Sequence, residues 1–358
     1  MKLISLLPAV LLAASVVSAG AEDAVKGPVL WQEAVSLHME GGRLVDFASP
    51  ALSTSAESES RALFLALVSG DKALFAKTFG WMRDNLAGGG TLFPMASLWG
   101  KRSDGSWGAL ETQGGLGAEL WTVYALLEAS RLWNEPEYGA AAREGLESLK
   151  KRFVEVRGIG TLIASDASAE GKVLFRPADF PPFVLKRLAA EDPAFKAAAD
   201  ASVRAVMLIS PDGLIPDAAR FDASGKTRPA KLPLSTEDAA AAYLWFAMTA
   251  TTDPVWPLAR ERFQNALELV SARLGAPSAV DIAGLRYSEE VSASLAACFL
   301  PYLKDDRRAA YLRTAAGQDP LDKTKLADTL LRLIALGFDA REFRFDRDGR
   351  LLLKNGVK

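Results

Sequence analysis

Apolar residues recur at three- and four-residue intervals through most of the chain, the spacing that gathers them on one face of a helix. The pattern predicts helices over 57–69, 71–86, 117–133, 137–153, 193–209, 236–250, 255–273, 288–302 and 322–336. Turn-forming runs separate them, among them Gly88-Gly89-Gly90, Asn134-Glu135-Pro136, Ser210-Pro211-Asp212-Gly213 and Asp253-Pro254. Alternating β-branched runs are scarce; short strands are expected only near 161–163 and at 342–346 with 351–353. Helices joined by short links predict an all-α fold of stacked antiparallel helix pairs. No fixed-period repeat is present. Periodicity alone fits a closed toroid or an open array.

The first residues follow a different rule. Met1-Lys2-Leu3 opens a run that stays apolar to Val17, then small residues Ser18-Ala19-Gly20-Ala21 precede Glu22-Asp23. A basic start, an apolar core and a small-residue site predict a secretory signal peptide over 1–21, cut after Ala21 or alternatively after Ala19. The run is shorter than the roughly 20 residues of a membrane span. A periplasmic or secreted protein without stable membrane insertion is expected. No Pro/Gly/Ser-rich linker divides 22–358, which predicts a single domain.

Composition narrows the chemistry. Lys and Arg number 42 against 44 Asp and Glu, so there is no basic field to attract nucleic acid. The lone cysteine, Cys298, excludes an internal disulfide and sits in an apolar run, where a buried inert thiol is expected. The lone histidine, His38, excludes a His-rich metal site and falls at an expected helix end. Chemistry therefore rests on carboxylates, lysines, tyrosines or hydroxyls, with no metal or organic cofactor implied.

Two acidic sites share one local design. Ser53-Thr54-Ser55-Ala56-Glu57 and Ser235-Thr236-Glu237-Asp238 each place a hydroxyl where it can cap a helix and a carboxylate in the first turn. Acids at helix starts also simply stabilise the helix. Glycosidic hydrolysis uses such a pair, one carboxyl donating a proton to the leaving oxygen and a second carboxylate acting as base or nucleophile. Between the two sites, Leu98-Trp99-Gly100-Lys101-Arg102-Ser103-Asp104-Gly105-Ser106-Trp107-Gly108 sets two tryptophans around a charged turn. Trp99 and Trp107 are candidates to stack on sugar rings or to pack between helices, and Lys101 to line a cleft or stand in solvent. Trp121, Trp133 and Trp245 lie in apolar helical faces and are expected in the core.

These segments resemble glycoside hydrolase family 8, and within it the periplasmic endoglucanases encoded with bacterial cellulose synthases. The resemblance runs through Gly42-Arg43-Leu44-Val45-Asp46, 98–110, Tyr124–Trp133, Pro181-Pro182, Pro216-Asp217 and Phe343-Arg344-Phe345-Asp346. It implies an (α/α)6 barrel with a cleft for a β-1,4-glucan polysaccharide, an inverting mechanism and possible association with a cellulose-synthesis or export complex. It puts Glu57 at the position of the family's acid and Asp238 at that of its base.

The resemblance also marks departures. The acid motif S-E-G-Q-S-Y-G reads Ala56-Glu57-Ser58-Glu59-Ser60-Arg61-Ala62 here, and in the base motif Tyr becomes Glu237 and Arg becomes Ala241. In the stretch matching S-D-A-D-L-W, the sugar-contacting first acid is Gly117 and the second survives as Glu119. Arg61 stands one turn after Glu57, where a cation favours the charged carboxylate. A general acid needs the opposite bias. Two readings follow: an endo-acting hydrolase using Glu57 and Asp238 with Trp99, Lys101, Trp107 and Glu119 on the substrate, or a weak or inactive glucan-binding barrel assisting export.

Overall fold

Helices that must be buried on every side need apolar or small residues all round, and the chain supplies such segments at regular intervals. In the computed structural model the described residues are 27–354 except 88–90, 114, 166–171, 223, 225–229, 232–233, 283–285 and 304–306. The segment read as a signal peptide lies outside them.

The helices are α1 (Gly27–His38), α2 (Ala56–Ser69), α3 (Lys72–Asn85), α4 (Leu116–Trp133), α5 (Pro136–Lys150), α6 (Pro182–Glu191) and α7 (Phe195–Ile209). They continue with α8 (Glu237–Ala247), α9 (Val255–Arg262), α10 (Gln264–Arg273), α11 (Ala293–Ala297), α12 (Arg307–Gln318) and α13 (Leu326–Asp339). Helices α2, α4, α6, α8, α11 and α13 each touch the next, and α13 returns to α2, closing a ring. Buried residues run almost unbroken along α2 from Ser58 to Leu67 and along α8 from Ala239 to Ala247. Around this ring, α3, α5, α7, α9 and α12 pack on their preceding inner partners, and α1 packs on α13. The outer helices bury one stripe only, as α3 does with Phe75, Thr78, Phe79 and Met82. The closed toroid left open by periodicity is thus an (α/α)6 barrel.

The C-terminal hairpin Phe343–Phe345 with Leu351–Leu353 stoppers one end. Phe343 and Phe345 meet Phe64 of α2, and Phe345 stacks on Phe183 of α6 at 4.1 Å. Glu128, fully buried on α4, binds Arg187 of α6, Arg131 and the Leu351 N–H, locking that plug to the ring. The other end holds the starts of α2, α4 and α8, where the helix dipoles favour negative charge.

Several expected elements shift. The helix expected over 137–153 ends at Lys150, and Phe153–Val156 pairs instead with Gly160–Ile163. The segment 255–273 breaks at Phe263, whose φ of −93° and ψ of 14° leave the helical well. The segment 288–302 becomes a short strand, α11 and a 3-10 turn over Leu300–Tyr302. Helices α6 and α12 were not anticipated, and of α1 only its end at His38 was. Helix α6 starts on Pro182, a residue that reads as a breaker yet suits a first helical position.

Candidate active site

Local structure fixes Glu57 before any tertiary contact does. Ser55 caps α2, its hydroxyl accepting from the Ser58 N–H at 3.0 Å. Thr54–Ser55 is also an edge strand paired with Leu98–Lys101, and the Ala56 N–H donates to the Ser97 carbonyl at 2.9 Å. The tryptophan stretch is therefore a hairpin, Leu98–Lys101 with Trp107–Glu111, that carries the start of α2. Side chains alternate across a strand. Leu98 lines a cavity of about 460 Å³ at the mouth together with Ser55, Ser58, Glu237 and Asp328. Trp99, Lys101 and Trp107 fall on the opposite face of the hairpin. Trp99 is partly buried between Trp81, edge-on at 5.3 Å, and Trp107, stacked at 5.1 Å. Trp107 is 44% exposed, and Arg43 lies against both rings of the stack.

Asp238 is held through its neighbour. Thr236 occupies the cap position of α8, but its hydroxyl makes no cap hydrogen bond. Instead Asp217 accepts from the Thr236 N–H at 2.7 Å and from its hydroxyl at 2.9 Å. The Pro216-Asp217 pair thereby sets the entry of α8, a positioning role that the sequence alone did not reveal.

The mouth brings Glu57 and Asp238 into one electrostatic cluster. Asp238, exposed at the rim, has its carboxyl raised by desolvation, then by the charges of Glu57 and Asp217. Glu237 beside it is pushed up to about 7 by burial, with Arg61 opposing and Asp328, Asp238 and Glu57 reinforcing. Arg61 forms the expected ion pair with Glu57 across one helical turn. The arginine is 7% exposed and the glutamate 54%, so the pair lies at the boundary between wall and solvent.

Glu119 sits elsewhere. At 1% exposure, it accepts from the Met95 N–H at 3.2 Å and pairs with Arg152. Its carboxyl is raised by burial, with Arg152 opposing. Both oxygens are occupied in holding the wall behind Gly117. Trp121 and Trp245 lie below the carboxylates with their ring centres 5.0 Å apart, as core residues. Cys298 is wholly buried, and that burial pushes its thiol up, away from the reactive thiolate.

One further carboxylate belongs to the cluster. Asp179 ends the 3-10 turn Pro177–Asp179, just before α6. Its carboxyl is pushed up to about 7 by burial, then by Glu57, with Asp238 adding and Arg176 and Arg152 opposing. Sequence reasoning passed over it. The signal available was an aspartate beside the Pro181-Pro182 landmark in a chain that lacks one at 117.

An all-α barrel with acids gathered at the mouth of its inner ring suits proton transfer to and from a ligand laid across that mouth. This is the design of a carboxylate-dependent glycoside hydrolase. Comparison with known proteins agrees: the model of the glycosyl hydrolases family 8 matches residues 4–340. The chain belongs to that family. It is 32% identical over 340 residues to an endoglucanase of Xanthomonas axonopodis pv. citri, covering 90% of this chain and 88% of that one. Among solved structures it is similar to endo-1,4-D-glucanase from Vibrio fischeri ES114, with a TM-score of 0.85 and 26% identity over 91% of this chain and 99% of that one. It shares the fold of endo-beta-1,4-glucanase CMCax from Acetobacter xylinum, with a TM-score of 0.71 and 17% identity over 88% and 99% of the two chains.

Proposed function

We propose that this chain is an exported endo-acting hydrolase of β-1,4-glucan, working by inversion and serving cellulose or exopolysaccharide production. The observation that carries the reading is the placing of two carboxylates, Glu57 and Asp238, in the first turns of separate inner helices at one mouth, where the charge of Glu57 acts on Asp238. In this reading Glu57 gives its proton to the glycosidic oxygen as the bond from C1 breaks. Asp238 takes a proton from the water whose oxygen attacks C1 from the opposite face. The configuration at C1 inverts, and no cofactor takes part. Before donating, Glu57 must leave its ion pair with Arg61 and take up a proton from solvent, and its 54% exposure leaves it free to do both. Export rests on the apolar segment 1–21 and one domain on the continuous run of 22–358. Among the described residues no helix is long and apolar enough to cross a membrane. The open rim and the exposed Trp107 offer an extended chain a path beyond the carboxylates.

The test is the release of reducing ends from carboxymethylcellulose and mixed-linkage β-glucan by the mature protein. Glu57→Gln and Asp238→Asn are expected to lose about 1000-fold or more in kcat while still binding glucan. Fresh product followed by NMR should carry the α configuration. Equal rates in the wild type and Glu57→Gln would remove the assignment. Binding without cleavage on every glucan tried would favour the glucan-binding barrel.

A further inference from the structure

Gly117 stands in the first turn of α4, where the sequence resemblance expects a sugar-contacting aspartate. The space above it is filled. A Cβ at position 117 would come within 2.6 Å of Asp179 Oδ1, 3.2 Å of its Cα and 3.3 Å of its Cγ. Real Cβ atoms do not come as close as 2.6 Å, so the Asp179 carboxyl would have to swing away, while the 3.2 Å backbone contact is tight and asks for a shift of a few tenths of an ångström. The Asp179 carboxyl, in this position, fills the space that a side chain at 117 would take.

We infer that Asp179 is a substrate-contacting residue of the active site, delivering from the turn before α6 the carboxyl that α4 no longer carries. The inference rests on the glycan-hydrolysing reading above and deepens it. Three features support it. The carboxyl reaches the volume over the first turn of α4, at the same end of the barrel as the first turns of α2 and α8. It lies close enough to Glu57 and Asp238 for both charges to act on it. It is also partly open to solvent, unlike Glu119, so a ligand can reach it. Burial makes this carboxyl tend to keep its proton near neutral pH, and the charges of Glu57 and Asp238 add to that tendency against Arg176 and Arg152. In that form it donates a hydrogen bond to a sugar hydroxyl without adding a third negative charge.

The rearrangement makes a prediction that a packing role does not. Asp179→Ala should lower kcat/KM on β-1,4-glucan about 100-fold, as loss of one well-placed polar contact does. Gly117→Asp alone should also fall about 100-fold, because the two side chains compete for one volume. The double variant Gly117→Asp with Asp179→Ala should recover at least about tenfold over Asp179→Ala, since the carboxyl returns from the other side of the same space. Asp179→Asn keeps a neutral donor. It should retain most activity and lose the decline that the wild type shows as pH rises through about 7. Melting curves on each variant confirm that the barrel is folded.

Two results overturn the inference: wild-type activity in Asp179→Ala, or a folded double variant no better than Asp179→Ala. A second arm separates this inference from the hydrolytic reading. Binding of cellohexaose is measured in a Glu57→Gln background, with and without the same substitutions. If binding follows the carboxyl from 179 to 117 while the wild type cleaves nothing, Asp179 stays assigned and hydrolysis falls. If cleavage depends on Glu57 but both arms ignore Asp179, the inference alone falls.

Discussion

The guanidinium carbon of Arg61 lies 6.0 Å from the centre of the Trp245 ring, one helical turn along α8 from Ala241. Position 241 is where the family motif carries its arginine, and here it is a buried alanine. In this chain Arg61 of α2 supplies a cation to the carboxylates of the mouth. Arg61 pairs with Glu57 and opposes the rise of both Glu237 and Asp238. Its Nε has no hydrogen-bond partner, so charge and the indole face hold it more than a full set of donors does. Arg61→Ala should cost about 1 kcal/mol, because the Glu57 end of the pair is open to water. The loss should be larger at pH 8 than at pH 5, where the acids begin to take up protons. Adding Ala241→Arg should restore part of both stability and kcat. Melts at the two pH values and steady-state kinetics check this; an arginine at 241 that restores neither would show that Arg61 holds its place for packing alone.

Most of the helices were legible because apolar residues recur at helical spacing, while their closure into a ring was implied only by the resemblance. Helix α12 was not legible because it buries little beyond Ala309, Leu312 and Ala316 among charged neighbours. Glu57 and Asp238 were singled out at helix starts and given their roles by the family resemblance, and Arg61 by its place one turn after Glu57. Asp179 was not, because its importance depends on a side chain missing 62 positions earlier in the chain, and only the fold brings the two together. The tryptophan stretch was left by its composition between sugar stacking and helix packing, and only the resemblance made it the wall of a cleft. Its backbone pairing shows that it holds up the strand that enters α2.

Asp217 offers a test of positioning without contact. Its two oxygens hold the N–H and hydroxyl of Thr236, the residue immediately before Glu237 and two before Asp238. Asp217→Ala frees the entry of α8. A displacement of about 1 Å in a reacting group can cost 100-fold. The expected result is a fall of about 10- to 100-fold in kcat with KM little changed. Asp217→Asn keeps one acceptor for the N–H and should recover most of the rate. A rise in KM with kcat intact would place Asp217 on the substrate instead.

Trp107 presents an aromatic face to solvent, backed by Trp99 at 5.1 Å with the planes 21° apart. If a glucan chain leaves the mouth across this hairpin, Trp107→Ala should raise KM about fivefold, the worth of one stacking contact near 1 kcal/mol. It should leave kcat unchanged on long substrates. Trp99→Ala should do more harm to stability, since that ring is packed between Trp81 and Trp107. Kinetics on polymer and on short oligosaccharides separate the two: a Trp107 effect equal on both lengths would place the ring away from the path of the chain.

Glu59 gives a prediction about stability and pH. Its side chain is wholly buried behind the active-site wall, with Oε1 accepting from the Leu44 N–H at 2.6 Å and Oε2 unpartnered. Burial pushes its carboxyl from 4.5 up to about 8, with the Leu44 N–H and Arg43 opposing. The folded chain therefore binds this proton more tightly than the unfolded chain does. Between those two values the folded state holds the extra proton, so stability from this group is greatest at low pH and declines as pH rises toward 8. Glu59→Gln keeps an oxygen for the Leu44 N–H and carries no charge at any pH. Its melting temperature should equal that of the wild type at pH 5 and exceed it by about 2 °C at pH 8. Other raised carboxyls at the mouth shift both proteins alike, so the difference between the two melts isolates Glu59. A gap that is the same at both pH values would mean that Glu59 is charged in the fold, with its buried oxygen compensated by a partner such as Arg43.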